Sequence, residues 1–239
     1  MLIVLGYPRG TALWVAGVLV SACVWWAVSR RAPVDRWTLL RVYLGGLVGA
    51  FAGAKLAYLI GEGWAHLHDA RALLTGKSIL GAIPGGYAGV VCTKHVLGVR
   101  RHTGDWFALA VPCAVAVGRV ACLLQGCCAG VVCSEHWWAW HDATGLPRWP
   151  AQATELAFNA GFAGWALLAG RTGWSRDNRF HVYMIAYGAF RSVHEFARDT
   201  ERLGSFTGYQ AVALGVCTAG IVLYRRRARE RRAGLSEAR

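Results

Sequence analysis

Apolar residues gather into seven long runs with short polar breaks between them. The runs cover residues 11–28, 37–60, 78–99, 106–124, 151–170, 180–196 and 209–224. Each is close to the roughly 20 residues that a helix needs to cross the hydrocarbon core of a bilayer. In lipid a backbone must satisfy its own donors and acceptors, so a span is a helix unless a barrel closes. These runs are too long and alternate too poorly to be barrel strands. The pattern therefore predicts an all-α integral membrane protein with seven transmembrane helices.

Composition agrees. Hydrophobic residues make up 55% of the chain and charged residues 16%, against about a quarter charged in soluble domains. The expectation is a single membrane-embedded domain over residues 1–239, with no separate soluble part, repeat or low-complexity linker. The opening MLIVLGYPRG lacks a basic leader, so the first run is expected to be kept as a span rather than cleaved.

The net charge of +13 would suit a nucleic-acid partner, but no basic stripe is interleaved with aromatic residues as such a groove needs. The cations instead sort by loop. Sixteen lie in the odd-numbered connections and the tail: Arg30, Arg31 and Arg36; Lys94, Arg100 and Arg101; Arg171, Arg176 and Arg179; Arg225, Arg226, Arg227, Arg229, Arg231, Arg232 and Arg239. Six lie on the other side: Arg9, Arg71, Lys77, Arg148, Arg198 and Arg202. The positive-inside rule puts the N-terminus outside and the C-terminus in the cytoplasm. The loop 126–150 is then extracytoplasmic, with Trp137, Trp138, Trp140 and Trp149 suited to the interface, and 225–239 is a basic cytoplasmic tail.

Several charges fall inside the spans. Arg119 lies about two turns within the outer end of the fourth helix, and Arg191, His194 and Glu195 lie near the outer end of the sixth. An intramembrane arginine costs about 2.5 kcal/mol or more. It can snorkel, or pair with a carboxylate to join two helices. Two arginines at matching depth converge only around an anion, and a lipid phosphate is the obvious one in a bilayer. Arg191 and Glu195 share a helix face at i, i+4, and Arg198 continues it. Arg41 is expected to snorkel, and Lys55 with Tyr58 could face the same cavity. Glycines at Gly45, Gly49 and Gly53 suit close helix contact. Pro84-Gly85-Gly86 is expected to break or kink the third helix and free backbone N–H groups for an anion.

Four of the eight cysteines, Cys122, Cys127, Cys128 and Cys133, cluster around the end of the fourth helix. Three readings stay open: a disulfide such as Cys127–Cys133 or Cys128–Cys133, thiol chemistry, or a metal site completed by His136 or His141.

Four motifs in order carry a resemblance. They are GRVACLLQGCCAG with Gly118, Arg119, Gly126 and Gly130; WPAQATE with Pro150, Gln152 and Glu155; YGAFRSVHEFAR with Tyr187, Gly188, Arg191, Glu195 and Arg198; and Gly208 with Gln210. Together they resemble the prolipoprotein diacylglyceryl transferase family from the second helix to the seventh. Pro84 stands where that family has a histidine, Cys122 and Gln125 where it has asparagines, and Cys127 where it has a glutamate.

The resemblance implies a multi-pass enzyme of the bacterial inner membrane. It would move a diacylglyceryl group from phosphatidylglycerol to the thiol of a lipobox-containing prolipoprotein, without metal or cofactor. Arg119 and Arg191 would hold the phosphate, with Glu195 orienting Arg191. Gly85, Gly86, Cys122, Gln125, Gly126, Cys127, Gly130, Gln152, Glu155, Tyr187 and Arg198 would line the substrate site. His194, Glu195, His136 and His141 are the candidates for a base. The alternatives are a relative that uses the cysteine cluster for thiol redox or another acceptor, and a non-catalytic lipid-binding membrane protein.

Overall fold

The computed structural model describes residues 8–30 and 34–237. Residues 1–7, Arg31 and Arg239 lie outside the described residues. The chain is all-α. In order it forms α1 (Pro8–Ser29), α2 (Arg36–Gly61), a short α3 (Ala70–Thr75), α4 (Ile79–Val96), α5 (Gly104–Gln125), α6 (Ala151–Thr172), α7 (Arg179–His194) and α8 (Gly208–Glu237). Among the described residues the seven apolar runs fall in the seven long helices. Among the described residues the strands are a two-residue hairpin, β1 (Trp140–His141) with β2 (Pro147–Arg148), inside the loop before α6. Past the last apolar run, α8 continues as helix through the basic segment. Glu230 there pairs with Arg226 at 3.2 Å and Arg227 at 3.0 Å, one turn away.

Of the described helices, α2 and α5 are long and apolar enough to cross a membrane by length and composition. Val15–Ser29 in α1 is a shorter apolar stretch, and three other helices carry polar residues within them: Gln152, Glu155 and Asn159 in α6, His181 and Arg191 in α7, and the arginines of α8.

Helix α2 packs along α4, α7 along α8, and α5 between α1 and α6. Glycines set the closest approach. A methyl group on Gly49 would run into the Gly85 carbonyl, and one on Gly53 into the carbonyl of Gly81. Of the break or kink expected at Pro84, the break does not form. The helix runs through it, because the glycine stripe lets two backbones meet and the packing outweighs the local cost of proline. Gly85 and Gly86 face α2, with Gly86 against Ala50 and Gly46, and offer no loop for an anion. A cluster of rings, Trp25, Tyr43 and Phe107, joins α1, α2 and α5, with Trp25 and Tyr43 centred 5.1 Å apart.

Overpacking a close contact costs about 1–3 kcal/mol. Gly49→Leu should therefore lower the melting temperature in detergent markedly. Ala52→Leu, on an exposed position of the same helix, should leave it nearly unchanged.

Candidate active site: a buried arginine–glutamate cluster

Helix α5 stops at Gly126, which adopts a left-handed conformation (φ 64°, ψ 25°). The Gly126 N–H bonds the Leu123 carbonyl at 3.2 Å and the Cys127 N–H bonds the Cys122 carbonyl at 3.1 Å. Glycine is favoured at this position because it reaches positive φ without a Cβ clash. The chain turns back over the helix end, which brings Cys127 and Cys128 against Cys122. Cys128 also has positive φ, 63°. Gln152, fully buried in the first turn of α6, holds the turned segment by donating Nε2 to the Cys127 carbonyl at 2.7 Å.

Two turns before that stop, Arg119 points inward and is 5% exposed. Glu155 of α6, with no exposure at all, meets its Nη2 at 2.8 Å. From α7 the Tyr187 hydroxyl donates to the same carboxylate oxygen at 2.6 Å. Arg191 brings Nη1 to 3.5 Å from the other oxygen, and Arg198, beyond the end of α7, brings Nη1 to 3.8 Å from it. Glu195 pairs with Arg191 at 2.6 Å and with Arg198 Nε at 3.8 Å, and accepts from the Thr200 hydroxyl at 2.9 Å. Behind these, Asn159 donates to the Glu155 carbonyl at 2.8 Å and accepts from the Tyr183 hydroxyl at 2.7 Å.

Three guanidiniums thus surround two carboxylates, leaving one excess positive charge. Three buried donors, Arg191 Nε and Arg198 Nε and Nη1, have no hydrogen-bond partner, against one acceptor of the cluster, Glu155 Oε2. Buried polar groups are ordinarily satisfied. Arg119, Arg191 and Arg198 line one small pocket with Glu62, Lys77, Thr200 and Tyr209. Unused cationic donors around a pocket are what an anionic ligand needs.

The expected residues divide. Arg119, Arg191, Arg198, Glu155, Glu195 and Tyr187 come together, with Gln152, Cys122 and Cys127 beside them. Glu155 does more than shape a cavity, because its carboxylate is the anion on which Arg119 and Arg191 converge. Arg198, expected to continue the Arg191–Glu195 face, turns into the cluster. Gln125 does not join it: its side chain is exposed and donates back to the Ala121 carbonyl at 3.2 Å. Gly126 and Gly130 act through the backbone. Gly130 lies where a methyl group would strike the Ala197 carbonyl, and its N–H bonds the Trp149 carbonyl at 2.9 Å.

Lys55 faces the Gly76 carbonyl at 3.5 Å and the Tyr58 ring, away from the pocket. His141 pairs with Glu135 at 3.1 Å in the exposed loop, and His136 stacks on Trp138. His194 Nε2 accepts the Trp149 indole N–H at 3.4 Å. All eight cysteines are free, so neither pairing with Cys133 forms. Gln210 closes a capping box with Thr207 at the start of α8. Asn159, Tyr183, Lys77 and Thr200 were not anticipated. Asn159 carries a signal, since Gln152, Glu155 and Asn159 follow at three- and four-residue steps on one face of α6.

A second ionic group fastens the loop over the cluster. Asp142 takes the Thr144 N–H and hydroxyl, the Leu146 N–H, and Arg148 Nε at 2.6 Å. Arg148 also reaches Asp199 at 2.9 Å and the Gly130 carbonyl at 3.2 Å. The Thr144 hydroxyl first, then Arg148, holds the Asp142 carboxyl well below the usual carboxylate range.

Comparison with known proteins gives a consistent result. A family model described as prolipoprotein diacylglyceryl transferase matches residues 11–226, which include every member of the cluster. The chain is similar to phosphatidylglycerol–prolipoprotein diacylglyceryl transferase 2 of Clostridium perfringens, 26% identical over 190 residues and 74% of each chain. It is 29% identical to phosphatidylglycerol–prolipoprotein diacylglyceryl transferase of Cupriavidus necator over 72% of this chain and 65% of that one. The protein of the same name from Clostridium tetani is 26% identical over 92% of this chain and 91% of its own.

Removing one partner of a buried ion pair costs about 3–5 kcal/mol. Glu155→Ala should lower the melting temperature more than any surface change, and Arg119→Met combined with Glu155→Leu should recover part of the loss. An unchanged melting temperature for Glu155→Ala would contradict the assigned pairing. For Asp142 the folded-state pKa is depressed, so its contribution is complete above about pH 4 and lost as pH falls through the lower folded value. Amide exchange in the hairpin, corrected for intrinsic rates, should stay slow from neutral pH to about pH 4 and quicken only below. Asp142→Asn should quicken it throughout.

Proposed function

We propose that this chain, which belongs to the prolipoprotein diacylglyceryl transferase family, moves a diacylglyceryl group from phosphatidylglycerol to the cysteine thiol of a prolipoprotein. Its relatives carry names that state this donor and acceptor. The observation that carries the reading in this chain is the surplus of buried guanidinium over carboxylate around one pocket.

In the reaction a sulfur–carbon bond forms as the glyceryl carbon–phosphate oxygen bond breaks. The thiol loses its proton, and the phosphate leaves as glycerol phosphate. Negative charge grows on that leaving oxygen. Fixed donors aimed at developing charge in a water-poor site lower the barrier, because they need no reorganisation. Arg119, Arg191 and Arg198 take this role. Glu155 and Glu195 hold them at fixed separation, and Tyr187 orients Glu155. Gln152 and the Gly126 turn shape the wall beside the phosphate. A thiolate is the nucleophile, since a thiol reacts poorly, and the surplus positive charge favours it.

The placement that fits is a single domain, residues 1–239, with seven helices crossing the bacterial inner membrane and the N-terminus outside. Two observations support it. The basic connections meet at one end of the molecule, where Arg227 reaches His102 at 3.3 Å and Arg231 the Arg176 carbonyl at 2.9 Å. The tryptophan-bearing loop and the arginine pocket lie at the other ends of the same helices. The pocket would then open toward the outer leaflet, with 126–150 extracytoplasmic and the 225–239 segment cytoplasmic. The partners are phosphatidylglycerol and a prolipoprotein, and no nucleic acid.

Detergent-purified protein given phosphatidylglycerol and a synthetic lipobox peptide should add the mass of a diacylglyceryl group to the peptide. Loss of one such donor costs about 100- to 1,000-fold in rate, so Arg119→Ala should fall by at least that much while remaining folded by its melting curve. Full activity in a folded Arg119→Ala, or no mass gain with the unaltered chain, would refute the proposal.

A further inference from the structure

We propose that Cys122, Cys127 and Cys128 form a three-thiolate site for a soft monovalent metal ion of the Cu(I) type. The three sulfurs all lie within 4.8 Å of one another. Those of Cys127 and Cys128 are 3.6 Å apart. A three-coordinate ion with metal–sulfur bonds of about 2.3 Å holds its sulfurs about 4.0 Å apart. The site is therefore nearly at binding geometry before any ion arrives.

The backbone builds it. The left-handed turn at Gly126 folds Cys127 and Cys128 onto Cys122, Gln152 fixes the Cys127 carbonyl, and Cys128 is held at φ 63°. A non-glycine residue at positive φ persists where its surroundings determine it, and such positions gather at ligand sites. Cys122 is 6% exposed and the other two are half-buried, so the sulfurs are shielded yet reachable.

The donor set selects the ion. Among the described residues no histidine or carboxylate joins the group. Three sulfurs and no oxygen or nitrogen suit a soft ion of low coordination number and exclude magnesium and calcium. Charge is balanced locally, because Arg119 Nη1 lies 3.7 Å from the Cys122 sulfur. Three thiolates and a monovalent ion carry two negative charges, which the adjacent guanidinium offsets in part. Binding releases up to three thiol protons per ion and transfers no electrons. Cys133 lies outside the group.

The test is a Cu(I) titration of the reduced full-length protein in detergent, without oxygen and against a competing chromophoric Cu(I) chelator, followed by X-ray absorption of the loaded protein. The expected result is one ion per chain with three sulfur neighbours at about 2.3 Å. Cys122→Ser, Cys127→Ser and Cys128→Ser should each weaken binding by about 100-fold or more, at least what loss of an outer-shell partner costs. Cys133→Ser should bind as the unaltered chain does. Fewer than three sulfur neighbours in the unaltered protein, or equal affinity in the triple serine variant, would overturn the proposal. The absorption measurement needs no variant, so a folding failure in the serine chains does not blunt it.

Discussion

The carboxylate of Glu155 sits with no solvent exposure among the guanidiniums of Arg119, Arg191 and Arg198 and the phenol of Tyr187. Much of the site depends on it. Each arginine comes from a different part of the chain: α5, α7, and the segment beyond α7. Without an anion between them, three cations so close would repel, and those elements could not approach at this depth. Two carboxylates meet three guanidiniums, and donors remain over on Arg191 and Arg198. The same ion cluster that joins the helices therefore presents a surface prepared for another anion. In the proposed function, stability and ligand binding draw on the same charges. Such a site is pre-organised because its geometry is fixed by the fold rather than by the ligand.

Around this cluster the structure divides its tasks. Glycine stripes bring α2 and α4 into backbone contact and leave no room for a ligand between them. Aromatic rings fill the space between α1, α2 and α5. The turn at Gly126 reverses the chain, and the hairpin clamped by Asp142 and Arg148 ties the following loop to the segment that carries Arg198. Cys122, Cys127 and Cys128 stand at the edge of the cluster, one helical turn from Arg119. The chain there has sulfur in place of the oxygen and nitrogen that the family signature carries.

The helices were legible because an apolar run of span length has little choice of structure in lipid. The Arg191–Glu195 pair was legible because four residues of helix return to the same face. The Arg119–Glu155 pair was not. Thirty-six residues separate its members, and periodicity within one helix says nothing about which neighbour it meets. Gln152, Glu155 and Asn159 did announce a polar face on α6, but not its partners. At Pro84 local preference pointed to a break or kink, and the helix continues through it along the glycine stripe. Arg198 was legible as the continuation of the Arg191–Glu195 face, and a short 3-10 turn at Glu195–Ala197 carries it into the protein. Gln125 matched a signature position but faces outward, since one residue of helix turns a side chain by about 100°.

The central claim is that the surplus guanidinium donors bind a phospholipid headgroup phosphate. The most direct measurement is native mass spectrometry of the detergent-solubilised protein with phosphatidylglycerol and diacylglycerol of the same chain length in equal amounts. Hydrogen bonds to charged groups contribute about 1.5–3 kcal/mol each. The account predicts that phosphatidylglycerol is retained at least about tenfold over diacylglycerol, and that Arg198→Gln removes most of that preference. Equal retention of the two lipids, or a preference unchanged by Arg198→Gln, would contradict it.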